Sequence, residues 1–107
     1  MPKYMIKASY STEGIKGVMA KGGTSRVDAI RKLAAGVGGS LESCYFAFGS
    51  DDVYAVVDAP SDEAMAAVAG TVSSTGALSS YETVVLLTAD QLDAAANMSV
   101  DYTPPGG

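Results

Sequence analysis

Apolar and polar residues alternate from Lys3 to Tyr10, with Tyr4, Ile6, Ala8 and Tyr10 on one face and Met5, Lys7 and Ser9 on the other. A period of two is that of a strand, because successive side chains leave opposite faces of the pleat. Ser11 to Gly23 carries Gly14, Gly17, Gly22 and Gly23 among Ile15, Val18 and Met19, which predicts a loose helix opened by Thr12, or an ordered loop. Thr24 or Ser25 can cap the next helix, whose apolar stripe is Val27, Ile30, Leu33 and Val37 and whose exit is Gly36, Gly38 and Gly39. Leu41 to Phe48 and Val53 to Asp58 read as two strands of a hairpin about the turn Gly49-Ser50-Asp51-Asp52. On the first of these, Leu41, Ser43, Tyr45 and Ala47 are expected on one face, and Glu42, Cys44, Phe46 and Phe48 on the other. Ser61 caps a second main helix with Met65, Val68 and Val72 as its stripe, and Tyr81 to Leu87 is a fourth strand. Thr88-Ala89-Asp90-Gln91 has capping-box form and opens a short helix to about Met98. Residues 101–107 make a tail, either disordered or laid as an arm over a partner subunit.

The order β-α-β-β-α-β specifies an α+β domain, a ferredoxin-like antiparallel sheet with helices on one face. The expected organisation is one domain over residues 1–100 followed by the tail. Helices on one side cover only one face of the sheet, yet both faces of the strands carry large apolar groups. A wet apolar face of that size is unfavourable on a monomer, so the pattern predicts a two-fold homodimer, or a higher homo-oligomer, with sheets packed face to face.

Several segments together resemble the GYD-domain family. They are Tyr4-Met5-Ile6-Lys7-Ala8-Ser9-Tyr10, Thr12-Glu13-Gly14-Ile15-Lys16, Arg26-Val27-Asp28-Ala29, the exit Leu33…Gly38-Gly39, the hairpin Tyr45 to Val53, and Asp58-Ala59-Pro60-Ser61-Asp62-Glu63. In the signature that names the family, Gly49 and Asp52 match, while Asp51 stands where a Tyr is expected. The resemblance implies the dimeric α/β-barrel version of this fold. Its fold relatives include cofactor-free monooxygenases, haem proteins of the chlorite-dismutase type, small isomerases and amino-acid-sensing regulators, and fold alone does not choose among them.

Composition narrows the chemistry. With 48% apolar and 18% charged residues, the 107-residue chain is globular rather than disordered. The charges are split: all seven bases (Lys3, Lys7, Lys16, Lys21, Arg26, Arg31 and Lys32) lie in the first 32 residues with two acids, and the other ten acids follow with no base. Any cation offered to an anionic ligand therefore comes from the N-terminal third. A net charge of −5 disfavours nucleic acid and anionic membranes as partners. The chain has no His, which removes Ser–His and Cys–His catalytic pairs and makes histidine-ligated haem implausible. The single Cys44 excludes an internal disulfide and reads as a buried thiol, with a reactive nucleophile as the alternative. No metal site or cofactor is expected, no stretch approaches the ~20 apolar residues of a membrane span, and a cytoplasmic location is the default expectation.

Four residues stand out as ligand-binding candidates in the space between sheet and helices. Lys7 suits a carboxylate anchor or base if its strand face is the covered one; otherwise it snorkels at the sheet rim. Arg26 suits a bidentate grip on a carboxylate or phosphate, against a surface pair with Asp52 or Asp58. Tyr10 and Tyr45 can donate to a ligand oxygen, against plain packing in the core or an interface. Lys16 and Lys21 belong to a segment that can close as a lid, or are simply solvated, and Asp51 and Asp52 suit Asx turns. The functional expectation is a small anionic or phenolic organic ligand, bound by a protein that is either a cofactor-independent monooxygenase or isomerase or a non-enzymatic structural or regulatory dimer without a pocket.

Overall fold

A computed structural model describes all residues, 1–107. The elements are β1 (Lys3–Tyr10), α1 (Thr12–Lys21), α2 (Gly23–Gly36), β2 (Ser40–Phe46), β3 (Val53–Asp58), α3 (Asp62–Ser73), β4 (Leu78–Leu86) and α4 (Ala89–Ala96). The four strands form one antiparallel sheet in the order β2-β3-β1-β4. Helix α2 lies over β2 and α3 over β4, so the expected ferredoxin-like α+β arrangement is present.

The period of two on β1 decides which side the helices cover. Tyr4, Ile6 and Ala8 are buried, in register with Val57, Ala55 and Val53 of β3, which are buried as well. Tyr4, Ile6, Ala55 and Val57 form one core cluster with Ala59, Ala34 of α2 and Met65 of α3. Only ten residues of the chain are buried, so the core is a single thin layer. The expected α2 stripe of Val27, Ile30, Leu33 and Val37 is half-buried rather than buried, and Ala34 is the one buried residue of α2.

Residues 12–21 form a regular helix, not a loop, and its cap is Ser11 rather than Thr12. The Ser11 hydroxyl accepts from the Gly14 amide at 3.1 Å and donates to the Gly76 carbonyl at 2.8 Å, while its own amide donates to the Ala77 carbonyl at 2.9 Å. The first turn is thereby pinned to the entry of β4, which offsets the cost of the helical glycines. Gly22 then takes φ +87°, a left-handed conformation that turns the chain straight into α2. Helix α2 starts there without a side-chain cap, so Thr24 and Ser25 sit inside its first turn.

The remaining expectations differ mainly at β2 and β4. A bulge at Glu42 shifts the β2 register between Leu41 and Ser43, so Leu41 joins Cys44 and Phe46 on the helix side, and Ser43 and Tyr45 point the other way. Strand β4 begins at Leu78, three residues before Tyr81, because Tyr10 and Ser9 extend its ladder. Ser61 caps α3 and Thr88 with Gln91 closes the capping box of α4, both as the sequence predicts, although α4 stops at Ala96. No helix is long and apolar enough to cross a membrane.

Candidate functional site

The sheet–helix layer is closely filled at the Met65 end, where the gap among Leu33, Val37, Met65 and Val68 is about 10 Å³, room for one water at most. At the other end it opens. Strands β1, β3 and β4 and helices α2 and α3 enclose a cavity of about 60 Å³ whose polar groups come from Tyr10, Arg26 and Tyr81. Ile6, Ile30, Leu33 and Val53 are among its apolar walls. A volume of this size admits an oxyanion or a few waters and lies well below the roughly 300–1,000 Å³ of a drug-sized pocket. Arg26 also lines a wider groove of about 370 Å³ with Gly14, Gly17, Lys21 and Ser25, so it stands where the apolar cavity meets a polar surface channel.

Arg26 reaches this position because it lies in the first turn of α2, immediately after the Gly22 reversal. None of the chain's ion pairs includes it. Neither Asp52 nor Asp58 serves as the surface partner considered above: the Asp58 carboxylate pairs with Lys3, and the Asp52 carboxylate accepts from the Tyr10 amide at 2.9 Å. Arg26 is thus a half-buried arginine, outside every ion pair, at the junction of the apolar cavity and the groove that Glu13 and Lys21 also line.

Tyr10 is on the covered face of β1, at the bulge where the β1–β4 register shifts. Burial raises its phenol pKa, with the Arg26 charge opposing and Cys44 and Asp52 adding to the rise. Asp52 is the residue that seats it. Besides accepting from the Tyr10 amide, it donates its own amide to the Ala8 carbonyl at 2.9 Å, which docks the hairpin end onto β1. Asp51 accepts from the Ser9 hydroxyl at 3.3 Å. The acids of the hairpin turn thus act across to β1 and not as the Asx turns expected from their spacing.

Tyr81 is the site residue that the sequence reading passed over. It sits opposite Ala8 on the covered face, and its buried hydroxyl lies beside the Thr83 side chain without completing a hydrogen bond of good geometry. Burial raises its phenol, with the Thr83 side chain opposing. The available signal was its position: a tyrosine on a strand face covered by helices needs a partner for its hydroxyl. Cys44 also lies on the helix side, half-buried, and burial pushes its thiol up while Arg26 opposes.

Lys7 and Tyr45 lie on the other side of the sheet. Lys7 is in register with Tyr54 and Glu82, and its ammonium sits 3.7 Å from Glu82 and 3.9 Å from Asp51. Tyr45 is opposite Tyr54 and 73% exposed. The structure brings Tyr10 and Arg26 together at the cavity and leaves Lys7 and Tyr45 on the uncovered face. Lys16 and Lys21 are exposed on α1, with Lys16 3.8 Å from Glu13.

A GYD-domain family model matches residues 4–96, most of the chain. The chain belongs to the GYD-domain family. Comparison with curated proteins finds no match, and comparison with solved structures finds none.

Proposed function

We propose that the chain is a homodimer that binds a small anionic or phenolic organic ligand between its sheet and its helices. The observation that carries this reading is Arg26, a half-buried arginine where an apolar cavity meets a wider groove, with no acid in ion-pair contact. Withdrawing a charge from water without a partner is unfavourable, and a ligand carboxylate or phenolate supplies that partner through charge-assisted hydrogen bonds. Tyr10 and Tyr81 line the same cavity, and their rings suit an aromatic ligand body. The oxyanion fits the cavity, and the groove that shares Arg26 takes the rest of the molecule.

The homodimer part of the proposal is supported by the uncovered sheet face. Met5, Tyr54, Val56, Val84 and Leu86 lie there, interrupted by two clusters of one lysine with two carboxylates, Lys3 with Glu42 and Asp58 and Lys7 with Asp51 and Glu82. Packing this face on its two-fold copy removes the apolar groups from water with both lysines paired, and leaves the more exposed acids, Glu42 and Glu82, at the rim.

The test is thermal unfolding against a panel of aromatic carboxylates, aliphatic carboxylates and phenols, repeated with Arg26→Met and Lys7→Met. Stabilisation that disappears in Arg26→Met and persists in Lys7→Met is the expected result. A panel in which no compound stabilises the protein overturns the ligand reading and leaves a structural or regulatory dimer. Oxygen uptake or isomerisation of a stabilising ligand extends the reading from binding to cofactor-free catalysis.

A further inference from the structure

We propose that residues 87–107 are an arm that docks on a second copy of this chain, in the groove between α1 and the β2–β3 hairpin, and covers the Tyr10 side of that copy's cavity. Every residue from Leu87 to Gly107 is exposed. The segment nevertheless carries Leu87, Leu92, Met98, Val100 and Tyr102, spaced along a stretch whose only charges are Asp90, Asp93 and Asp101. Its presence stretches the molecule to 55 Å and gives a radius of gyration of 16.8 Å, against about 13 Å for a compact chain of this length. The accessible surface is 6982 Å², whereas a compact monomer of this mass exposes about 5,500 Å². The excess of roughly 1,500 Å² exceeds the ~800 Å² that each partner contributes to an ordinary stable interface.

The groove is complementary to such an arm. It has a volume of about 310 Å³ and contains Ile15, Met19, Phe46 and Phe48, all of them exposed. The groove's one acid, Asp52, is engaged by the Tyr10 amide; Lys16, beside Glu13, and Lys21 lie on the same helix, α1, outside the groove's lining, and the arm's three carboxylates can find cations only in the first 32 residues. Tyr10 lines both this groove and the Arg26 cavity, so a chain seated in the groove covers Tyr10 from outside.

The arm does not lie in its own groove: residues 87–107 are all exposed, the molecule is extended to 55 Å, and Ile15, Met19, Phe46 and Phe48 of the groove stay exposed, which assigns the groove to a second copy's arm. Strand β4 ends at Leu86 opposite Lys3, the first residue of β1, whereas the groove lies beside Tyr10, the last. The two are separated by the full eight-residue strand, about 26 Å at 3.3 Å per residue. A two-fold pairing in which facing strands run in opposite directions puts the arm end of each sheet beside the groove end of the other. Two equivalent contacts then form, as an isologous dimer requires. Docking of the arm does not depend on the ligand reading; the covering of Tyr10 as part of a binding site does.

The experiment uses full-length chains in a Cys44→Ala background, one carrying Met19→Cys and the other, of larger size through a tag, carrying Val100→Cys. After mixing and treatment with a short bismaleimide, the expected product is a mixed-size dimer formed several-fold more than when Ala67→Cys, exposed on α3, replaces Met19→Cys. Yields equal to the Ala67→Cys control overturn the proposal. So does an intrachain link in a chain carrying both cysteines, or a chain that sediments as a monomer. As a second measurement, Lys16→Glu with Lys21→Glu is expected to weaken dimerisation several-fold, and Asp90→Lys with Asp93→Lys on the same chain to restore it; unchanged dimerisation overturns the charge complementarity. All of these are read without ligand, so they stand or fall separately from the Arg26→Met result.

Discussion

Arg26 and Tyr81 line the same small cavity from different layers of the fold, an arginine on α2 outside every ion pair and a phenol on β4 whose buried hydroxyl completes no hydrogen bond of good geometry. In the proposed complex Arg26 is the donor to the oxyanion, and Tyr81 is the test of whether the cavity wall tolerates loss of a hydroxyl. A buried hydroxyl without a partner costs about 1–3 kcal/mol of desolvation. Tyr81→Phe is therefore expected to leave the ligand-free protein as stable as wild type or to stabilise it by about 1 kcal/mol, while retaining the stabilisation by carboxylates. Urea unfolding with and without ligand checks both halves. A clear loss of stability in the ligand-free variant means that the phenol is satisfied in solution.

Cys44 provides an independent probe of the same cation. Burial raises its thiol pKa and Arg26 opposes that rise. Less thiolate at a given pH means slower alkylation. Cys44 is expected to react with iodoacetamide at pH 8 more slowly than a small-molecule thiol, and Arg26→Met to slow it further, because the group that lowers the pKa is gone. Faster alkylation in Arg26→Met places the guanidinium away from Cys44 and weakens its assignment to the cavity.

Helix α1 rests on one close approach. A side chain at Gly14 would collide with the Ala77 carbonyl, whereas Gly17, one turn on, has open space around it. Gly14→Ala is expected to cost about 1–3 kcal/mol, as overpacking against backbone does, and to loosen the wall of the Arg26 groove. Gly17→Ala is expected to stabilise by about 0.5–1 kcal/mol, since alanine loses less entropy in a helix. Paired chemical denaturation of the two variants is the measurement, and equal effects at both positions contradict the Ser11–Ala77 attachment.

The fold is legible in the chain because period and punctuation agree at each element. The alternation of β1, the Gly38-Gly39 exit, the Ser61 cap and the Thr88–Gln91 box are local signals, and each appears where the pattern puts it. Arg26 was legible for a similar reason, as a basic residue in a first helical turn in a chain whose cations are confined to one third. What was not legible depends on register. Whether Lys7 or Tyr10 faces the helices is a single parity choice along β1, and local pattern does not settle it when both faces are apolar. The Glu42 bulge has no local signature, yet it exchanges the faces of the β2 residues that follow. Tyr81 becomes a site residue only through its pairing with Ala8, a contact between residues far apart in the chain. The charge split likewise resolves only in three dimensions: Lys3 and Lys7 pair with acids on the open face, and Arg26 does not.

Tyr4 ties the first strand to the start of α3, and it makes alkaline stability a test of the core. Its hydroxyl donates to the Asp62 carboxylate at 2.6 Å, and its ring is buried, 2% exposed. That hydrogen bond, with burial adding to it, pushes the phenol up to about 12. In the unfolded chain a tyrosine loses its proton near 10. Between these values the folded state holds a proton that the unfolded state has released, so stability falls as pH rises. The contribution is complete below about pH 10 and is lost through about pH 12. Wild type is expected to lose stability more steeply than Tyr4→Phe across that interval, and to be the more stable of the two at pH 7, where the hydrogen bond is intact. Guanidinium unfolding of both proteins at pH 7, 10 and 11.5 measures the difference. Parallel pH profiles show that Tyr4 ionises alike in both states, and the Asp62 contact then contributes nothing to holding α3 on the sheet.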